Sequence, residues 1–235
     1  MCGRVRDPND DEFSELKLNP FAGQWIWNWK AIPRRYNVPP TAELPVVRAK
    51  DGHRHVDPMR WGLIPSWAKD MKIGFSSINA RSDGVDTKPS FRGAWKAGRR
   101  CLVITGGFYE WQTVDPKQKQ PYAIGMGNGG IVALAGLWEA WKDQSKPEAE
   151  WLRTCTIITT EPNDLIATVH DRMPVILGFE DWPKWLGEEP ANETDLKAML
   201  RPFPSDRLAM WPVDKKVGNV KNEGPELIER VEIAA

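Results

Sequence analysis

The sequence predicts an α+β fold of coiled, mainly antiparallel β-sheets, partly barrel-like, with short flanking helices. Two observations carry this. Runs of β-branched and aromatic residues recur in pairs separated by turn residues, as in hairpins. Long helical crossovers of the kind that join parallel strands are few. At 235 residues, the chain is long enough for one large domain, residues 1–235, and short for two.

In order, residues 10–18 (DDEFSELKL) suit a short acidic helix, and FAGQWIWNWK follows it. Residues 33–40 form an extended connector leading to a strand over LPVVRAK, 44–50. A turn at Asp51-Gly52 then precedes His53 and His55, which alternate as on a solvated strand edge. Residues 59–83 are mostly loop, because Gly62 and Pro65 interrupt any long helix. Ser90 is placed to cap a helix over FRGAWKAGR, and strand CLVIT runs into Gly106-Gly107 and FYEW. The formal G-x-G-x-x-G at Gly125, Gly127 and Gly130 is no dinucleotide site, since the strand-like IVALAGLW follows it where a helix is needed. Asn128-Gly129 instead predicts a hairpin turn. TCTIITT and HDRMPVILG give another strand pair, DWPKWLG and ETDLKAMLR are helical, and the tail from Met210 is extended and polar.

Composition narrows the function. No apolar run approaches the ~20 residues that cross a bilayer, and MCGRVRDPNDDE is charged where a secretory signal is apolar. A soluble cytoplasmic protein is expected, monomeric and without an obligate protein partner. Cys2, Cys101 and Cys155 are too few and too far apart for a disulfide framework or a zinc motif. Cys101 and Cys155 lie in strand-like runs and read as buried, inert thiols. His53 and His55 lack further ligands, so neither a metal nor a cofactor is called for. The net charge of zero conceals an asymmetry: residues 28–100 carry 15 Lys/Arg against 6 Asp/Glu, leaving 17 against 26 elsewhere. A basic stretch on a neutral protein suits an anionic ligand held at one side. Of the 13 tryptophans, Trp25, Trp27, Trp29 and Trp67 lie in polar company, where an exposed ring can stack on a base.

The chemistry centres on Cys2. Removal of Met1 by an aminopeptidase exposes an α-amine and a thiol, with ordinary pKa values of roughly 7.7–8.0 and about 8.5. An aldehyde condenses with such an amine, and the neighbouring thiol closes a five-membered thiazolidine with effective molarities of order 10⁵ M or more. Three other stretches offer partners. Asn79 and Arg81 alternate in SSINARSD, so both can face one side. Glu110 ends a β-run among aromatics that can desolvate it and raise its pKa. His170 and Arg172 in VHDRMPVIL pair a proton-transfer group with a cation on one face of a strand. Each has an ordinary alternative: a turn residue, a sheet-edge ion pair, a hydrogen-bonded core histidine.

MCGR, RWGLIPSWAKD (60–70), INARSD (78–83), RRCLVITGGFYEW (99–111), TIITTEPN (156–163), VHDRMPVIL (169–177) and WPVDKKVGNVKNEGPELI (211–228) together resemble the SRAP family. These are the SOS response-associated peptidase domain proteins, which shield abasic sites in DNA. The resemblance covers nearly the whole chain. It implies covalent capture of abasic sites in single-stranded DNA, self-removal of the initiator Met by a thiol peptidase activity, and strand scission of lyase type as the side reaction. It places the catalytic residues at Cys2, Asn79, Glu110 and His170, and the DNA-binding residues at Arg4, Trp67, Arg81 and Arg172. The chain departs from the family pattern at Ile104-Thr105-Gly106, where Pro-Ala-Asp-like letters are usual, and at Asp83, where many members have Glu. Two other classes fit part of the pattern. N-terminal nucleophile amidohydrolases also begin Met-Cys-Gly, but their His-Thr-Arg-Trp-like segments are missing. A non-catalytic reader would hold modified bases among the tryptophans and survive Cys2→Ser.

Overall fold

The computed structural model describes residues 2–18, 25–30, 33–116, 118–146 and 148–233. Met1 and residues 21–24 of FAGQWIWNWK lie outside them. The elements are β1 (Val5–Arg6), α1 (Asp10–Leu18), β2 (Trp25–Trp27), β3 (Glu43–Lys50), β4 (His53–Trp61), β5 (Asn79–Arg81), α2 (Arg92–Lys96), β6 (Arg100–Thr105) and β7 (Gly107–Asp115). β8 (Gln118–Met126), β9 (Val132–Trp141), β10 (Leu152–Thr160), α3 (Asp164–Ala167), β11 (Met173–Pro174), α4 (Trp182–Leu186), α5 (Glu193–Ala198) and β12 (Leu208–Pro212) follow.

Five strands close a barrel. β3 and β4 form a hairpin on Asp51-Gly52, whose φ values of 52° and 74° give the left-handed pair that a two-residue hairpin requires. β3 then pairs β6, β6 pairs β9, and β9 pairs β10, all antiparallel. β10 completes the ring by running parallel to β4 at Thr154↔Arg60 and Cys155↔Trp61. Side chains alternate across this wall. Val47, Val56, Leu102, Ala135 and Ile158 face outward beneath Trp95 of α2, Trp182 and Trp185 of α4 and Leu196 of α5. Val46, Met59, Trp61, Cys101, Val103, Leu134, Cys155 and Ile157 fill the inside, in one cluster with Cys2. Cys101 and Cys155 are buried free thiols, as their strand settings suggested.

The second sheet has the order β1-β7-β8-β12 and is antiparallel throughout. It is the continuation of the barrel hairpin. β6 passes into β7, and β8 into β9, through glycine corners at 106–107 and 125–130. Gly107 has φ 159°, and a Cβ there would lie 2.5 Å from the Ile124 carbonyl oxygen, so close strand approach demands glycine. The Asn128-Gly129 hairpin is therefore corrected. The turn forms, with Gly129 N–H on Met126 O at 3.0 Å, but its flanking strands enter different sheets. β7 and β8 instead pair with each other as far as Asp115↔Gln118.

Other expectations change as well. His55 sits on no edge, because β2 pairs parallel with β4 at Ile26↔His55 and covers it, whereas His53 lies one residue before the first pair, Trp25↔Arg54. Phe91, not Ser90, occupies the N-cap of α2, and no side chain caps it. HDRMPVILG contributes only the two residues of β11 to a strand, so His170 and Arg172 lie on a loop. The tail is extended at β12, but Val213, Val217 and Leu227 are buried with Tyr109, giving it a core of its own. No described helix is long and apolar enough to cross a membrane.

Candidate active site around Cys2

β4 and β5 run end to end along one edge of β10. After Cys155↔Trp61 the pairing resumes at Ile157↔Asn79 and Thr159↔Arg81. Residues 62–78 are an excursion between them. Its neck is closed by Leu63 N–H on Ser77 O (3.2 Å) and by the Trp61 indole N–H on Ile78 O (2.9 Å). It displays Trp67 at 59% exposure, Met71 and Phe75. Trp67 is steadied by its indole N–H on Pro89 O, 3.3 Å away. What the sequence presented as loop thus ends in a short strand, and Asn79 and Arg81 alternate along it as expected.

Cys2 is fully buried. The strand behind it pairs with β7 at Val5↔Phe108, and Tyr109 N–H donates to Arg4 O at 3.0 Å. This delivers Cys2 to the side of β7 that carries Glu110. The Asn79 amide Nδ2 donates to the Cys2 carbonyl at 2.7 Å, while Asn79 Oδ1 is buried without a hydrogen-bond partner. Burial pushes the Cys2 thiol well above its ordinary value, and the Glu110 charge adds to the shift. The thiol is consequently protonated at neutral pH. Glu110, 2% exposed, is raised to about 7, first by burial and further by the Asp171 charge. A carboxyl tuned to neutrality both gives and takes protons there.

His170 follows α3, whose Asn163 cap accepts the Ile166 N–H at 2.9 Å and whose Ile166 carbonyl receives the N–H groups of Val169 and His170. This turn, not a strand, presents the imidazole. Its Nδ1 faces the Arg172 N–H (3.0 Å) and the exposed Asp171 carboxylate (2.9 Å). In the neutral ring Nδ1 can accept from that N–H, and in the protonated ring it donates to the carboxylate. Burial lowers the His170 pKa, which favours that neutral ring. The Gln112 side chain, donating to Thr168 O at 3.0 Å, ties this loop to β7.

The four arginine and tryptophan positions divide. Arg172 rests on Thr159 O (2.5 Å), beside the β10–β5 pair that carries Arg81; burial lowers the Arg172 pKa, and the Arg81 charge lowers it further. Arg81 is exposed and held in a fork by Asp83, at 3.1 and 2.8 Å. Trp67 is on the excursion between β4 and β5. Arg4 is turned inward: it donates to Asn37 Oδ1 (2.5 Å) and Val217 O (2.9 Å), lies over the Trp111 ring, and is 9% exposed. Sequence reasoning missed Asp171 as a neighbour of Glu110 and His170, although it sits between His170 and Arg172, and missed Asp83 as the partner of Arg81. Among the described residues no group of three or more His, Cys, Asp or Glu is placed to hold a metal.

The family model for SOS response associated peptidase (SRAP) matches residues 1–220. The chain belongs to the SRAP family. It is 38% identical over 231 residues to abasic site processing protein YoqW of Bacillus subtilis, covering 97% of this chain and 99% of that one. It is 31% identical over 242 residues to abasic site processing protein HMCES of Rattus norvegicus, covering 87% and 67%. Among solved structures, a Bacteroides thetaiotaomicron protein superposes with a TM-score of 0.72 at 28% identity over 82% of each chain. A Bordetella bronchiseptica protein with a TM-score of 0.74 at 24% identity shares the fold, over 91% of this chain and all of that one. The SRAP match spans both sheets and all eight residues singled out above.

Proposed function

We propose that this protein captures abasic sites in single-stranded DNA covalently, through a thiazolidine built from the amine and thiol of Cys2 after Met1 is removed. The reading is carried by one observation: Cys2 lies buried against Asn79 and in the field of a Glu110 carboxyl tuned to about 7. The names of the relatives, abasic site processing proteins, support it. The family description carries the word peptidase, and we read that activity as hydrolysis of the Met1–Cys2 peptide bond by the same thiol site.

The open aldehyde of the abasic sugar is the electrophile. His170, its neutral form favoured by burial, assists ring opening by proton transfer at the sugar hydroxyl. The Cys2 amine adds to C1′ and one water leaves, giving an imine. The Cys2 S–H then adds across the C=N bond: sulfur bonds to C1′, the C=N π bond breaks, and Glu110 takes the thiol proton and returns it to the nitrogen. Asn79 orients the Cys2 backbone throughout. Arg81 and Arg172 hold flanking phosphates through charge-assisted hydrogen bonds, and Trp67 stacks on a neighbouring base. Arg4 holds the N-terminal strand in place. If the thiol fails to add, the imine permits β-elimination and strand scission.

Intact mass after incubation with a single-stranded abasic oligonucleotide tests this. A heat-stable gain of the oligonucleotide minus one water, lost in Cys2→Ala, is expected. A Cys2→Ala protein that cross-links as durably as wild type overturns the scheme. Glutamine hydrolysis by the processed protein would point instead to an N-terminal nucleophile amidohydrolase.

A further inference from the structure

Besides its bond to Asn79, a nucleophile at the second residue depends for its placement on the short strand on its C-terminal side. That strand is a weak clamp on its own. β1 pairs β7 at only Val5↔Phe108 and Arg6↔Gly107, and its other side meets Val38 through a pair of hydrogen bonds. The side chain of Arg6 supplements this pairing. Its guanidinium lies over Gly106 and forks onto Glu12, with Nη1 to Oε2 at 3.3 Å and Nη2 to Oε1 at 3.0 Å. Arg6 and Glu12 are 11% and 4% exposed, so the pair is shielded from water.

Glu12 is itself fixed. Its Oε2 accepts the Asn9 N–H at 2.6 Å, and Asn9 Oδ1 accepts the Glu12 N–H at 2.7 Å, a reciprocal capping box at the start of α1. Gly106 completes the seat. Its φ is not in the left-handed range, so glycine is not required there for conformation. It is required for space: a Cβ would overlap the Arg6 Nη1, lie 2.5 Å from its Cζ and 2.7 Å from Glu12 Oε2. The backbone seals the contact, with Gly106 N–H on Arg6 O at 3.0 Å.

We infer that Arg6 is a positioning residue for the chemistry at Cys2: seated in the space left by Gly106 and locked by Glu12, it sets the N-terminal strand on β7 and thereby the approach of Cys2 to Glu110. The inference rests on the abasic-site reading. A loosened strand still lets the amine form an imine. Ring closure suffers, because thiol, imine carbon and Glu110 carboxylate must align. More of the imine then loses its C2′ proton and breaks the C3′–O bond, so the product ratio moves from adduct toward scission.

The test uses the full chain with Arg6→Ala, Gly106→Ala and Arg6→Lys, each checked for folding by circular dichroism. Cross-linking to a single-stranded abasic oligonucleotide is followed on gels that separate adduct from cleaved strand. Misplacement of reacting groups by an ångström costs up to about a hundredfold. Adduct formation by Arg6→Ala and Gly106→Ala should therefore slow about ten- to hundredfold, with the scission-to-adduct ratio raised, and Arg6→Lys should recover part of the loss. A role confined to stability would lower the melting temperature and leave that ratio unchanged. Wild-type rate and ratio in folded Arg6→Ala overturn the inference while leaving the site's reading intact. If Arg6→Ala fails to fold, Gly106→Ala and Arg6→Lys decide by the same ratio. A wild-type protein that forms no adduct overturns both.

Discussion

Asn79 and Cys2 are 77 residues apart in sequence, yet the Asn79 amide donates to the Cys2 carbonyl at 2.7 Å. The bond joins the edge of the barrel to the start of the chain. β5 is held by β10 through three residue pairs, so Asn79 is fixed by the barrel wall and Cys2 is fixed by Asn79. Asn79→Ala should remove about 1 kcal/mol of stability and slow cross-linking about tenfold or more, since orientation of the nucleophile is lost. A urea titration and a single-turnover time course measure the two effects. An unchanged rate with lowered stability would reduce Asn79 to a structural tie.

Arg81 and Arg172 meet at Thr159, the first as its partner across β5 and β10, the second through a 2.5 Å hydrogen bond to its carbonyl. Each proposed phosphate contact releases counterions, and for single strands removes about 0.7 from the magnitude of the salt slope when deleted. Arg172→Ala and Arg81→Ala should each flatten the plot of log affinity against log salt by about that amount, with little change in base preference. Fluorescence anisotropy between 50 and 200 mM salt, roughly the range over which such slopes are read, measures it.

Asp83 occupies the fork of Arg81 in the free protein, and that contact lowers its pKa. A phosphate must share or displace this carboxylate. The pair is exposed, so the competition is modest. Asp83→Asn should tighten single-stranded DNA binding about two- to fivefold at low salt, and the gain should shrink as salt rises. Weaker binding would mean that Asp83 orients Arg81 for phosphate instead of competing with it.

Much of this was legible in the chain. Alternation and turn chemistry place β3, β6 and β10, and DDEFSELKL coincides with α1, because each depends on local preference; β4 runs on to Trp61, into the stretch that reads as loop, and β7 runs past Glu110 to Asp115. The switch between sheets was not legible. Asn128-Gly129 has the letters of a hairpin, but whether its flanking strands pair is decided by β6 and β7, which claim β9 and β8 first. The loop carrying His170 was hidden for a similar reason: VHDRMPVIL alternates like a strand, while the Asn163 cap upstream winds the chain into a short helix just before it. Arg4 shows a third limit. Its letter supplies a cation, but only the fold reveals that its Nη1 already donates to Asn37 and Val217.

The glycine corner yields a stability prediction. A Cβ at Gly107 would lie 2.5 Å from the Ile124 carbonyl oxygen and 3.2 Å from Arg6 Nε, at a φ that side chains rarely adopt. Backbone on one side leaves no flexible atom to yield. Gly107→Ala should cost about 2–4 kcal/mol, read as a lower urea midpoint at unchanged m value.

Glu110 links stability and activity to pH. Its folded pKa of about 7 lies above the ordinary carboxyl value because burial penalises the charged form. Between those two values the unfolded chain has released the proton while the folded chain keeps it, so folding stability falls as pH rises through this window and levels off above about 7. Glu110→Gln removes the ionisation. Relative to wild type it should gain nothing near pH 4, and by pH 8 be about 2–3 kcal/mol more stable, visible as a higher melting temperature at pH 8 only. Its cross-linking should be slow at every pH, with the limb near pH 7 gone from the rate profile and only the amine's ionisation left. A variant that kept the limb would show that some other group takes the proton from Cys2. The opposite signs, more stable and less active, distinguish a carboxyl held in a costly state for chemistry from one that merely supports the sheet.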